Sequence, residues 1–190
     1  TVAVTGMDFA VTADILALDR HQTGFIDRIY AADIGGNVWR IDTAGTTTAS
    51  WAVHKLAALG NRTAGAAGRK FLFGPDVVLG ANNGAFDAVV IGSGDREHPL
   101  STNVANGVIN RAYMIIDTHT STTGATLGVT DTCGATVSSA CSNMFDATNS
   151  SAVPLTGNGW LVTMASGEQV VQQVRPEHLV LDVLGRHTTL

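Results

Sequence analysis

Nine residues, Asp19 to Asp27 (DRHQTGFID), carry oxygen-bearing side chains and a glycine at the spacing of a Ca²⁺ loop. A hard cation such as Ca²⁺ gathers roughly six to eight oxygens, with acids at loop positions 1, 3 and 5, glycine at 6 and a backbone carbonyl at 7. Counted from Asp19, position 5 is Thr23, position 6 is Gly24, position 7 is Phe25 through its carbonyl and position 9 is Asp27. Position 3 is His21, a nitrogen ligand that Ca²⁺ disfavours, and position 12 is Tyr30 where a bidentate glutamate belongs. Asp19, Thr23, Phe25 and Asp27 therefore make a degenerate Ca²⁺ loop of weak affinity. The same two carboxylates can equally brace a turn by accepting backbone N–H bonds, and the residue types leave both roles open.

A second chemical cluster is Gly92-Ser-Gly-Asp95-Arg96-Glu97-His98-Pro99. A phosphate loop would need a third glycine where Glu97 stands and a helix where Pro99 begins a polar loop. Asp95 or Glu97 beside His98 has the types for acid–base work. The simpler reading is a charged turn with Arg96 paired to Asp95 or Glu97. Ser93 lies in Gly-Ser-Gly, outside the nucleophile-elbow pattern, so no catalytic residue is assigned. Trp39, Trp51 and Trp160 could stack on a sugar or a quinone, but strand positions favour core packing between sheets. Arg62, Arg69 and Lys70 read as a solvated basic loop, and Glu168 as an exposed strand residue.

Strands and turns must position these groups. Val2 to Leu18 alternates loosely as one or two strands. Phe25 to Tyr30 and Val38 to Ile41 flank the turn Gly35-Gly36-Asn37, and a further strand runs through Ser50 to Leu56. Val77 to Leu79 and Phe86 to Ile91 flank Asn82-Asn83-Gly84, a hairpin turn whose residues tolerate positive φ. Trp160 to Met164 and Glu168 to Val174 read as a hairpin about Ala165-Ser166-Gly167. The order repeats: Gly24 to Asp27 aligns with Gly84 to Asp87, and Val38 to Thr43 with Tyr113 to Thr118. Asp27 and Asp87 therefore fall at one place in the repeat and should brace their turns alike. The second unit carries extra residues between Asp95 and Arg111. Repeated antiparallel units of this length suit propeller blades, which must stack on neighbours to bury both faces.

Composition agrees with an all-β class. Of 190 residues, 45% are hydrophobic and 14% charged, with 21 glycines, a balance that suits a β-rich extracellular domain better than a helical enzyme. A net charge of −5, with eleven Lys and Arg spread over the chain, argues against a nucleic-acid partner, which needs a basic patch. No apolar run reaches the roughly 18 residues of a membrane span. The chain reads as a piece of a longer protein, so its first residues say nothing about compartment. Cys133 and Cys141 lie close together in a small-residue segment and are expected to form a local disulfide, as in exported proteins. Residues 1–174 are expected to form the blades, with a surface-loop insertion at about 119–158, and 175–190 a divergent or truncated tail.

Five runs in this order, IDRIYAADIGGNVWRID, FGPDVVL, FDAVVIGSGDREHPLSTNV, RAYMIIDT and GNGWLVTMASGEQVV, resemble the C-terminal β-propeller of the PilY family, type IV pilus biogenesis proteins and tip-associated adhesins. The likeness covers roughly residues 13 to 174. It implies a partial propeller of quinoprotein-like type, exported to the cell surface, pilus tip or outer membrane. It implies pilus assembly, twitching motility and attachment by non-catalytic binding to pilins, minor pilins and a host or abiotic surface. It also places the family's acid-rich Ca²⁺ loop on Asp19, His21, Thr23 and Asp27. The rival class is a quinone- or metal-dependent propeller enzyme, which would need basic, acidic and aromatic groups converging on Ca²⁺.

Overall fold

The computed structural model describes residues 4–43, 45, 47–61, 65–80, 85–98, 107–120 and 126–175. Among these residues ten strands form in order: β1 (Leu16–Leu18), β2 (Arg28–Ala32), β3 (Asn37–Asp42), β4 (Ala52–Ala58), β5 (Asp76–Leu79), β6 (Asp87–Gly92), β7 (Arg111–Asp117), β8 (Val129–Thr130), β9 (Phe145–Asp146) and β10 (Gly159–Thr163). They make two five-stranded sheets, β1-β2-β3-β4-β8 and β5-β6-β7-β10-β9. The first four strands of each sheet are antiparallel, and the fifth adds in parallel at the edge. The chain is all-β. The sequence repeat matches the sheets strand for strand, because β2 and β6 are second in their sheets and β3 and β7 third.

The turn between β2 and β3 shows how sequence sets local structure. Buried Asp33 accepts N–H bonds from Gly35 at 2.9 Å and from Asn37 at 3.0 Å. It also accepts from the Asn37 amide and, at 2.7 Å, from the Trp39 indole. Gly36 takes φ +81°, and a Cβ there would meet the Gly60 backbone, so glycine is required on both counts. One carboxylate thus fixes a turn, a strand register and the ring of Trp39, over which the Lys55 ammonium lies 4.9 Å from the centroid.

Period-2 alternation sends one face of each sheet into a shared core: Tyr30, Val38 and Leu56 from the first, Val89, Ile91, Tyr113, Ile115 and Leu161 from the second. The other face of the second sheet packs Ala88, Met114, Ile116 and Trp160 with Ala147. Trp39 and Trp160 are core residues as expected, but Trp51 precedes β4 and is 40% exposed.

Three further expectations about the fold are corrected. Within 119–158, the described residues do more than form a surface loop. They supply β8 to one sheet and β9 to the other, and they bury Val129, Asp131 and Met144 between them. The expected hairpin about Ala165 lacks its second strand. Glu168 sits in a turn, its N–H bonded to Ala165 O, and Val170 N–H then bonds Ser93 O. That segment packs over Gly92 and Gly94, where any side chain would collide with Val170. Of the one or two strands expected ahead of Asp19, one forms among the described residues, Leu16–Leu18. Arg69 is 1% exposed and structural, although Lys70 beside it stays partly solvated. The Cys133–Cys141 disulfide forms. The turn at 82–84, Arg62 and the tail beyond 175 lie outside the described residues.

Replacing Asp33 by alanine should destabilise the chain by about 3 kcal/mol or more, since it strips a buried acceptor from several donors at once. Gly36→Ala should also destabilise, through φ strain and the Gly60 contact. Denaturant unfolding monitored by Trp39 fluorescence measures both.

Candidate functional site

The Asp19–Asp27 loop folds back on itself through its two carboxylates. Asp19 accepts the N–H groups of Thr23 at 2.8 Å and Gly24 at 2.6 Å. Asp27 accepts those of Arg20 at 2.8 Å and His21 at 3.0 Å, and its Oδ2 lies 2.6 Å from His21 Nδ1. Burial would raise the Asp27 pKa, but these N–H groups and the imidazole outweigh it and hold the carboxyl below its ordinary value. Gly24 at φ +86° and Gln22 at φ 56° let the chain turn this tightly.

Three of the four sequence-predicted ligands come together. Thr23 Oγ1 is 3.4 Å from Asp19 Oδ1 and 3.5 Å from the Phe25 carbonyl oxygen. The fourth, Asp27, is occupied by Arg20 and His21. The three gather hard oxygens of the kind Ca²⁺ takes, but the Asp19 carboxylate already accepts from Thr23 and Gly24, as Asp27 does from Arg20 and His21. Phe25 and Ile26 stand at the loop's tip, 79% and 47% exposed.

Behind the loop lies a buried ion network that sequence reading missed. Asp87 and Asp117 face each other across β6 and β7, and both side chains are fully buried. Like charges placed so repel, and desolvation compounds the cost. The first sheet supplies the compensation. Arg40 Nη1 reaches Asp117 at 2.8 Å and 2.9 Å. Arg28 Nη1 reaches Asp87 at 3.1 Å, and the Tyr30 hydroxyl donates to either carboxylate, at 3.1 Å for Asp87 and 2.9 Å for Asp117. Arg20 Nε closes on Asp87 Oδ1 at 2.7 Å. Asp42 accepts from Arg28 and Arg40, so Arg20, Arg28 and Arg40 balance Asp42, Asp87 and Asp117. Burial works against the Arg28 charge, but Tyr30 and the carboxylates of Asp42, Asp117 and Asp87 outweigh it and raise its pKa. Burial, then the charges of Asp117 and Asp87, push the Tyr30 phenol far above its ordinary value, so it is a permanent donor.

A second network mirrors the first. Arg111 Nη1 holds Asp131 at 2.8 Å and 2.7 Å, and Tyr113 donates to Asp131 at 2.8 Å. Arg69 spans Leu59 O, Ile109 O and Cys133 O. Burial lowers the Arg69 pKa and raises that of Tyr113. An Arg-x-Tyr pair begins each network, Arg28-Ile29-Tyr30 and Arg111-Ala112-Tyr113. That signal was visible in the sequence. It escaped notice because the pairs sit on β2 and β7, which are not equivalent strands of the repeat.

Asp87 is thus an ionic strut between sheets, whereas Asp27 braces its own loop, and the shared turn role expected of them does not hold. Asp95, Glu97 and His98 do converge, one ligand atom of each lying within 4.8 Å of the others. Asp95 Oδ2, however, carries the Lys70 ammonium at 2.6 Å and His98 Nδ1 at 3.0 Å. Burial would raise the Asp95 pKa, and these two partners lower it instead. Arg96 does not pair as expected; its guanidinium lies 5.4 Å from the Phe73 ring centroid. Ser93 is fully buried, donating to Asn110 and accepting from Arg111 N–H, a structural role.

No described protein family matches the chain, and no curated protein does. Among solved structures, the C-terminal domain of PilY1 from Pseudomonas aeruginosa aligns with a TM-score of 0.51 and 16% identity, over 82% of this chain. The two share a fold. The present chain spans 39% of the length of that PilY1 chain.

Removing one cation from the inter-sheet network should be costly: Arg40→Met leaves Asp117 buried without its main partner and should lose about 3–5 kcal/mol in denaturant unfolding. His54 lies 3.7 Å from Asp42, at the rim of the network, and burial followed by the Arg40 charge lowers its pKa from 6.5. An imidazole held neutral in the fold stabilises it fully above that value and progressively less as pH falls below it. Stability should therefore decline as pH falls below about 6.5, and His54→Gln should flatten that part of the pH profile.

Proposed function

We propose that the two sheets are blades of a partial β-propeller of quinoprotein-like type, and that the chain serves type IV pilus assembly and surface attachment by non-catalytic binding. The fold shared with the PilY1 C-terminal domain carries this reading. The sequence runs quoted above, among them the Asp33-to-Asp42 turn and the Gly92-to-Pro99 segment, point the same way. Four antiparallel strands in each sheet, consecutive in the first and with β10 following β7 in the second, and the hydrophobic and ionic contacts between the sheets support a reading as stacked blades. The partners would be pilins or minor pilins and a host or abiotic surface, met at the cell surface, pilus tip or outer membrane. A disulfide suits that oxidising location. No helix among the described residues is long and apolar enough to cross a membrane.

Support for binding rather than catalysis comes from how the titratable clusters are used. The network carboxylates are bound to arginines of the opposite sheet, Asp95 is neutralised by Lys70, and Ser93 is sealed in the core. Among the exposed apolar residues are Phe25 and Ile26 at the loop tip. Ca²⁺ at Asp19, Thr23 and the Phe25 carbonyl, with Asp27 turning from His21 to join them, would order that tip.

Two measurements test the proposal. Cells lacking the protein should lose surface pili and twitching, and a version carrying Phe25→Ser and Ile26→Ser should fold but restore them poorly; unaltered piliation in the deletion would end the pilus reading. Calorimetric titration with Ca²⁺ should give a Kd of about 10⁻⁴–10⁻³ M, as for weak extracellular modules, and Asp27→Ala should abolish the heat. Equal heats from both proteins would remove Ca²⁺ from the account.

A further inference from the structure

We propose that Arg20 couples the two sheets to the loop, so that the conformation of Asp19–Asp27 and the packing of β6 and β7 on the first sheet form one cooperative state. The inference deepens the reading of the loop as the recognition site, yet it rests on the chain's own bonds and needs no cation.

The two ends of Arg20 are held by different parts of the molecule. Its backbone N–H donates to Asp27 Oδ1 at 2.8 Å, and its Nε donates to Asp87 Oδ1 at 2.7 Å. Asp27 precedes β2 in the first sheet, and Asp87 begins β6 in the second. Asp27 also holds the next residue, His21, through both its N–H and its ring. Two successive residues are thereby fixed, and the direction in which the Arg20 side chain leaves the backbone is fixed with them. That direction leads into the interface, where the Arg20 side chain is only 12% exposed and that of Asp87 is fully buried.

The division of labour at Asp87 makes the link consequential. Oδ2 is served by Arg28 and Tyr30, and Oδ1 by Arg20. If the loop opens at Asp27, the Arg20 backbone moves and its guanidinium leaves Oδ1. A buried carboxylate oxygen then loses a charged donor, directly opposite Asp117, which repels it. Conversely, when β6 loosens, Arg20 loses its bond to Asp87 and the backbone geometry that Asp27 caps is loosened with it. Such coupling is reciprocal by thermodynamic necessity. It gives the exposed tip at Phe25 and Ile26 a physical route to the interior: a contact that reshapes the loop also alters how firmly the sheets are joined.

Backbone amide exchange tests the link on the full chain, using wild type, Asp27→Asn, Arg20→Gln and the double variant. The readout is the rate at Ala88 and Val89 in β6, taken relative to Leu56 and Ala57 in β4. Each single change should speed exchange at β6 by about tenfold, and the double variant should be no faster than the faster single one. If Asp27→Asn leaves Ala88 and Val89 within about twofold of wild type, or if the two effects multiply, the link is absent. Should Arg20→Gln fail to fold, Arg20→Lys keeps the charge but lacks the guanidinium, and the same outcomes apply.

Discussion

Two aspartates that face each other across β6 and β7 set the terms for the rest of the structure. Asp87 and Asp117 are fully buried and of like charge, an arrangement a sheet cannot sustain alone. Their compensation comes from Arg28, Tyr30 and Arg40, which all project from the first sheet. Neither sheet can therefore keep its own ends in order without the other. The hydrophobic core supplies most of the favourable free energy but tolerates sliding; the ion network specifies one registration of the sheets, because displacement by one residue would strand charges in a low-dielectric interior.

Asp131 extends the same logic to the sheet edge. It lies immediately after β8, at the margin of the first sheet, and is held by Arg111 and Tyr113 from the second. The Arg69 guanidinium, from the connection between β4 and β5, fills in around it by donating to backbone carbonyls. The segment from Val129 to Asp146 can thus cross from one sheet to the other with little regular structure, held by the Asp131 network, two short parallel strands and the Cys133–Cys141 bridge. Charged residues that would be solvated on an ordinary domain are here the internal fasteners, which leaves loops such as Asp19–Asp27 to face the surroundings.

A scaffold of this kind suits the binding role proposed above. Rigid sheets joined by paired charges hold exposed loops in fixed relation, and the Cys133–Cys141 disulfide pins one of them. The loop at Asp19–Asp27 is at once the most chemically suggestive surface feature and, through Arg20, a direct neighbour of the interior network. Its hold on the core comes from Asp27, which spends its oxygens on Arg20 and His21.

The sequence by itself determined the class and the unit. Period-2 apolar runs, the Asp33-Ile-Gly-Gly-Asn37 turn and the matching of β2 and β3 to β6 and β7 follow from local chemistry, because turns and alternation act over a few residues. The same holds for the disulfide, whose partners are close in the chain. Only the tertiary structure decided which charges are buried. Arg40 and Asp117 are 77 positions apart, and Arg28 and Asp87 are 59 apart; nothing local distinguishes them from surface pairs. Arg69 looked like a solvated loop residue, and 119–158 like a featureless insertion, for the same reason. Their partners are backbone carbonyls and strand edges that converge only when the sheets have closed on each other. The fate of Asp27 was hidden too, since a carboxylate free to bind a cation and one already capping two N–H groups are written with the same letter.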